Sequence, residues 1–164
     1  MGQGAIYAQM PFETALGNAS VQLSDDAGND LGSDNIPITN IQPTLVADNA
    51  VRPVLKDDGN EVGPDNPVQP GDTILIRYTG QGPVVPPVPT GDVRADVIVS
   101  IPASPIVASL GGKTANIVSP QMSSTMPGVL EVRLQVPDLF SDDYYVQIKI
   151  GAVSSPSAPV RVQK

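Results

Sequence analysis

The side chains in this chain that could do chemistry are mainly carboxylates, and they fall in three groups. Asp25, Asp26, Asn29 and Asp30 crowd one short stretch, and Asp57, Asp58, Asn60 and Glu61 crowd another. Both offer the hard oxygen ligands that calcium takes, of which it needs about six to eight. Neither follows the D-x-[DN]-x-[DN]-G spacing of a calcium loop, and both lie where a stretch rich in Asp, Asn and Gly turns back on itself. The expectation is solvated turns, with Asp25, Asp26, Asp30, Asp57 and Asp58 as weak candidate cation ligands and calcium as the alternative to no cofactor at all. Asp142 and Asp143 form the third group. A glycosidase needs two carboxyls about 5–9 Å apart in a cleft, but a chain with 4% aromatic residues has poor means of stacking a sugar. Tyr144 and Tyr145 are adjacent, so on a strand one ring faces in and the other out. Tyr145, with Tyr78 or Tyr7, could line a binding face.

The chain has no cysteine and no histidine. That removes disulfides, thiol chemistry, Cys/His zinc sites and every nucleophile activated by an imidazole. No catalytic residue and no cofactor is therefore expected, and the chain reads as a non-enzyme. Its net charge of −8 repels nucleic acid and anionic lipid. No stretch approaches the roughly 20 apolar residues of a membrane helix, and Met1-Gly2-Gln3 opens neither a basic nor an apolar leader. The reading is a piece of a longer protein, or an exported one whose signal is gone.

The elements that must carry these residues are strands. With 18 prolines and 15 glycines in 164 residues, a many-turned β-protein is expected and almost no helix. The clearest stretch runs from Gly128 to Ile150. Leu130, Val132, Leu134 and Val136 alternate with Glu131, Arg133 and Gln135, and Tyr144, Val146, Ile148 and Ile150 alternate with Tyr145, Gln147 and Lys149. Period two marks half-buried strands, and the two are read as a pair laying one apolar face on a core. Further strands are expected at Ala5–Phe12, Asn18–Ser24, Asn35–Asn40, Asp72–Gly80, Ala95–Ile101 and Pro159–Gln163. Hairpins are expected about Asp58-Gly59 (Val51–Val62) and Gly111-Gly112 (Ile106–Val118). Asp25–Asp34, Pro64–Pro70 and Ser119–Pro127 read as loops. Gln81–Gly91 reads as a polyproline-like excursion that cannot pair, because its prolines lack donors; a ligand for a polyproline reader is the alternative there.

Three segments near the N-terminus echo the far end at a nearly constant spacing. Gln9-Met10-Pro11 answers Gln135-Val136-Pro137, Val21-Gln22-Leu23 answers Val146-Gln147-Ile148, and Ser33-x-x-Ile36-Pro37-Ile38 answers Ser157-x-x-Val160-Arg161-Val162. This reads as an internal duplication. Residues 1–43 are then a partial repeat holding only back-half strands, and residues 44–164 a whole one.

The order PGDTILIRYTGQG, PPVPTG, SLGGKTANIVS, MPGVLEVRLQVPD and YYVQIKIGAVSSPSAPVRV resembles the Solibacter-type uncharacterised C-terminal domain of large secreted acidobacterial proteins. The match covers about Thr44 to Lys164, and MPFETALGNASVQL is similar to the end of a preceding repeat. The resemblance implies an immunoglobulin-like sandwich related to the TIG/IPT type, exported, with no assigned activity and no functional residue to carry over. The acidic Asp25–Asp34 segment and Lys56-Asp57-Asp58 depart from the pattern.

The expected fold is thus all-β, an immunoglobulin-like antiparallel β-sandwich of about seven short strands with an N-terminal β-rich partial repeat. The partial repeat would expose an apolar face made by Ile6, Ala8, Met10, Val21, Leu23, Ile36 and Ile38. Such area is worth roughly 25 cal/mol per Å² when buried, so it should dock. The expected partner is protein: self-association through the N-terminal strands, or other domains of the parent chain, without nucleic acid or membrane insertion. The expected role is a non-catalytic structural or interaction module, extracellular or on a bacterial cell surface. The alternatives are a self-assembling filament subunit whose N-terminal strands complete a neighbour, and a calcium- or carbohydrate-dependent adhesin.

Overall fold

The computed structural model describes residues 8–46, 53–93 and 99–164. Among them are thirteen strands and no helix: β1 (Gly17–Ser24), β2 (Asp30–Ile38), β3 (Thr44–Leu45), β4 (Val54–Lys56), β5 (Thr73–Thr79), β6 (Val84–Val85), β7 (Ile101–Pro102), β8 (Ile106–Leu110), β9 (Lys113–Met122), β10 (Leu130–Gln135), β11 (Asp142–Ile150), β12 (Val153–Ser154) and β13 (Ala158–Val162). Every strand pair is antiparallel, as expected for a chain of short strands joined by tight turns. The protein is an all-β antiparallel sandwich.

The ladder runs β12-β11-β8-β9-β10-β5-β3, with β13 on β11 and β4 on β5. One strand belongs to both layers. Residues 113–115 of β9 pair with β8, and residues 116–122 pair with β10. Between them the register shifts at Arg133/Leu134, leaving Val118 as the extra, exposed residue of a bulge. A bulge bends its strand, and here it carries β9 from one sheet into the other.

Alternation decides what lies inside. Ile74, Ile76 and Tyr78 of β5 and Leu130, Val132 and Leu134 of β10 face Val146, Ile148 and Ile150 of β11 and Val160 and Val162 of β13, and all are essentially fully buried in one core. Each such aliphatic side chain contributes on the order of 1.5–3 kcal/mol. A single parallel bridge, Val68 to Val162, ties the layers at one end.

Several expectations are corrected. β10 and β11 are not neighbours: β10 lies with β5 and β9, β11 with β8 and β13, so their apolar faces meet from opposite layers. The predicted strand at Ala5–Phe12 lies partly outside the described residues, and residues 8–12 form no strand. The Asp25–Asp34 loop is much shorter, since β2 starts at Asp30. Val84 and Val85 do pair, with Pro102 and Ile101, because the two valines between the prolines keep their own amides and carbonyls, and a proline still offers its carbonyl, as Pro83 does to the Ala103 amide at 2.9 Å. β9 extends to Met122 through a segment expected to be loop, with Pro120 opposite Val132. Asp142 and Asp143 open β11 rather than sit in a turn. Most of the predicted Ala95–Ile101 strand, and Val51 and Arg52 of the Val51–Val62 hairpin, lie outside the described residues.

The Gly111-Gly112 hairpin has the form its sequence asks for. Leu110 pairs with Lys113, and both glycines have positive φ, 60° and 77°. A two-residue loop of this twist needs that conformation at both positions.

Candidate functional site

β1 and β2 form a hairpin of their own, apart from the sandwich ladder. Gly17 pairs with Ile38, Ala19 with Ile36, Val21 with Asp34 and Leu23 with Gly32. Directly opposed residues share a face, so Ala19, Val21, Leu23, Ile36 and Ile38 line one side, and Asn18, Ser20, Gln22, Ser33, Asn35 and Pro37 line the other. The apolar side is not covered: Val21 and Leu23 are each 42% exposed and Ile36 is 38% exposed. Of the sequence-predicted assembly residues, the hairpin therefore brings together Val21, Leu23, Ile36 and Ile38. Ala8 and Met10 lie outside it on an irregular segment, and Ile6 is outside the described residues. Three docking strands were expected; two are present among the described residues.

The register holds a further fact. β11 and β13 pair Asp142 with Val162, Tyr144 with Val160 and Val146 with Ala158. Carried back through the sequence echo, these become Gly17 with Ile38, Ala19 with Ile36 and Val21 with Asp34, which are the pairs that β1 and β2 make. The exposed side of the hairpin corresponds to the core-facing side of β11 and β13.

Both feet of the hairpin are tied to the sandwich. Before β1, Gln9 Oε1 accepts from the Gly91 amide at 2.8 Å, and the Phe12 amide donates to Thr90 Oγ1 at 3.0 Å. Thr90 Oγ1 donates to Glu13 at 2.8 Å, and this bond is the main cause holding the Glu13 carboxyl below its ordinary range. After β2, the Gln42 amide donates to Gly80 O at 2.8 Å. A Cβ on Gly80 would stand 2.1 Å from Gln42 O, so this close approach needs glycine.

The acidic loops turn out to be caps. Asp25 Oδ1 accepts from the amides of Ala27 at 3.0 Å and Asn29 at 2.8 Å, and its Oδ2 accepts from Asn29 Nδ2 at 2.8 Å. The Asn29 side chain, then its amide, keep the Asp25 carboxyl low. Asp58 repeats the device: it accepts from the Asn60 amide at 3.0 Å, its carboxyl is lowered chiefly by that bond, and Gly59 closes the turn onto Lys56 O. Asp30 accepts from the Gly32 amide at 2.9 Å, and Asp57 reaches Arg133 at 3.4 Å. Asp26 is exposed. Among the described residues no three acidic groups are close enough to share a cation.

Tyr78 is fully buried and lines no surface, while Tyr145 is 65% exposed and Tyr7 lies outside the described residues. Asp143 pairs with Arg161 at 3.4 Å, and Asp142 accepts from the Asp143 amide at 2.8 Å. An open groove of about 380 Å³ between Thr39–Thr44 and Val153–Pro156 carries no ionisable side chain, so it holds no acid or base of its own.

One cluster escaped the sequence reading. On the outer side of the β5–β10 sheet, Glu131 accepts from Arg77 Nε at 3.1 Å and from Ser123 Oγ at 3.2 Å, with Arg133 at 3.9 Å. Its signal was present, because Arg77 and Glu131 both occupy outward positions of alternating strands.

These features define a β-sandwich with a tethered, half-apolar hairpin. No protein-family model matches the chain, and no curated protein is significantly similar to it.

Proposed function

We propose that this protein is a non-catalytic structural or interaction module that assembles through its N-terminal hairpin. The observation that carries the reading is the hairpin's apolar face, on which Val21, Leu23 and Ile36 are exposed beside half-buried Ala19 and Ile38. An isolated two-stranded hairpin is at best marginally stable in water, so a face of this kind is suited to being covered. The absence of cysteine and histidine from the sequence supports the non-enzymatic part. The order of motifs from Thr44 to Lys164, which resembles the Solibacter-type secreted domain, supports an immunoglobulin-like variety of sandwich and an extracellular or cell-surface setting. Self-association, as a dimer or an open filament, is the favoured mode, because the hairpin is held at both feet and presents its face outward.

Sedimentation velocity across a wide concentration range tests this. The 164-residue chain should show mass rising with concentration, and the triple variant Val21→Ser, Leu23→Ser, Ile36→Ser should stay monomeric with an unchanged far-ultraviolet spectrum. A monomer at all concentrations, or a triple variant that assembles as well as the parent, refutes it.

A further inference from the structure

The register match between the hairpin and β11–β13 suggests an obvious occupant for the hairpin's apolar side: the inner faces of another sandwich's remaining strands. One residue argues against it. Asp34 sits opposite Val21 on the apolar side, at the position where β13 has Ala158, which is completely buried. A carboxylate placed there would enter an apolar core with no cation, at a cost well above what the surrounding aliphatic groups contribute. The hairpin face therefore calls for a surface that is apolar around a single unpaired positive charge.

The sandwich has such a surface on the outer side of its β13-β11-β8 sheet. Outward positions there are Pro159 and Arg161 of β13, Tyr145, Gln147 and Lys149 of β11, and Val107 and Ser109 of β8, with Tyr145 beside Pro159 and Lys149 beside Val107. Tyr145 is 65% exposed and Val107 53%. Arg161 is engaged by Asp143, whereas among the described residues no carboxylate lies within ion-pair reach of Lys149. The charges of the two surfaces are opposed: from Ala8 to Val46 the sequence holds five acidic residues and no basic one. Asp34 uses one carboxylate oxygen on the Asn35 amide at 2.8 Å, leaving the other to be shared.

We infer that the hairpin of one copy packs face to face on the outer β13-β11-β8 surface of a second copy, with Asp34 meeting Lys149 and the Val21, Leu23 and Ile36 side chains covering Tyr145 and Val107. Sheets pack in this way through their side chains, and complementary charge sets the register of such contacts. If the exchange is reciprocal it closes a dimer, and if it is not it propagates a filament. This inference rests on the assembly proposed above and names the receiving surface.

Charge exchange tests it. Lys149→Glu and Asp34→Lys should each weaken association about tenfold, while the two together should restore it to within about threefold of the parent. Tyr145→Ser should weaken it without touching charge. Because the natural chain has no cysteine, mixing Asp34→Cys with Lys149→Cys under mild oxidation should trap a heterodimer that neither variant forms alone. Association unaffected by Lys149→Glu, no recovery in the double exchange, or no trapped heterodimer overturns the assigned surface while leaving hairpin-mediated assembly standing. A parent chain that never associates overturns both.

Discussion

Replacing Tyr78 by Phe should make this protein more stable. The Tyr78 side chain is completely buried, and its hydroxyl has no hydrogen-bond partner. The Ser155 hydroxyl is near enough to act on it, but its one proton goes to Pro156 O at 2.7 Å and it accepts from the Ile148 amide at 3.2 Å, and no hydrogen bond joins it to the phenol. A buried polar group left unpaired costs about 1–3 kcal/mol, and Tyr78→Phe removes that cost while keeping the ring. At this chain length each kcal/mol moves Tm by about 2–4 °C, so a rise of about 2–12 °C is expected. Thermal and urea unfolding followed by far-ultraviolet circular dichroism would measure it, with an unchanged urea slope showing that the same surface is exposed. Ser155→Ala should cost about 1–3 kcal/mol by stranding the Ile148 amide, and the two changes should add to within about 0.5 kcal/mol. A loss of stability in Tyr78→Phe, or a coupling above about 1 kcal/mol with Ser155, would show that the hydroxyl is bonded and the reasoning wrong. The pH dependence gives a second reading. Burial, opposed in part by Ser155, raises the phenol above its ordinary value, so the folded state holds its proton more tightly than the unfolded one. That contribution is full below about pH 10 and is lost as pH rises further, and Tyr78→Phe should flatten the alkaline decline.

Gly111→Ala should cost more than Gly112→Ala. Both have positive φ, but a Cβ at Gly111 meets the Tyr144 ring at 2.6 Å whereas one at Gly112 meets nothing. About 1 kcal/mol is expected for Gly112 and at least twice that for Gly111 by urea unfolding; equal costs would count against the contact. Glu131→Ala should cost about 1–3 kcal/mol, since Arg77 and Ser123 lose their acceptor, and Arg77→Ala in the same background should then cost less than it does alone. Acid should loosen the hairpin turn: the lowered Asp25 carboxyl gives a contribution that is present above the ordinary aspartate value and lost as pH falls through its folded one. Amide exchange at Ala27 and Asn29 should therefore rise below about pH 4 relative to the β5 amides. Exchange unchanged by pH there would argue against the cap.

Face was legible in the sequence and partnership was not. Alternation at Leu130–Val136 and Tyr144–Ile150 marks which side chains are buried, but says nothing about which strand lies alongside, and so β10 and β11 read as neighbours when they belong to opposite layers. The Asp25–Asp34 segment failed differently. Asp30, Gly32 and Asp34 are poor strand formers, yet an exposed hairpin strand has no core to satisfy, and its ladder alone holds it. Ser119–Met122 was masked by Pro120, which survives in β9 beside a bulge. The capping role of Asp25 and Asp58 was visible as turn chemistry. The pairing of Glu131 with Arg77 required knowing that their strands adjoin.

Since β9 serves as a common hem to both layers, neither can peel away while the other keeps its weave. Heat should meet a single endotherm across the sandwich, and a pull on either end should find no seam along which half the molecule gives first. An assembly linked through an arm rooted in such a body would pass load from copy to copy with little internal slack.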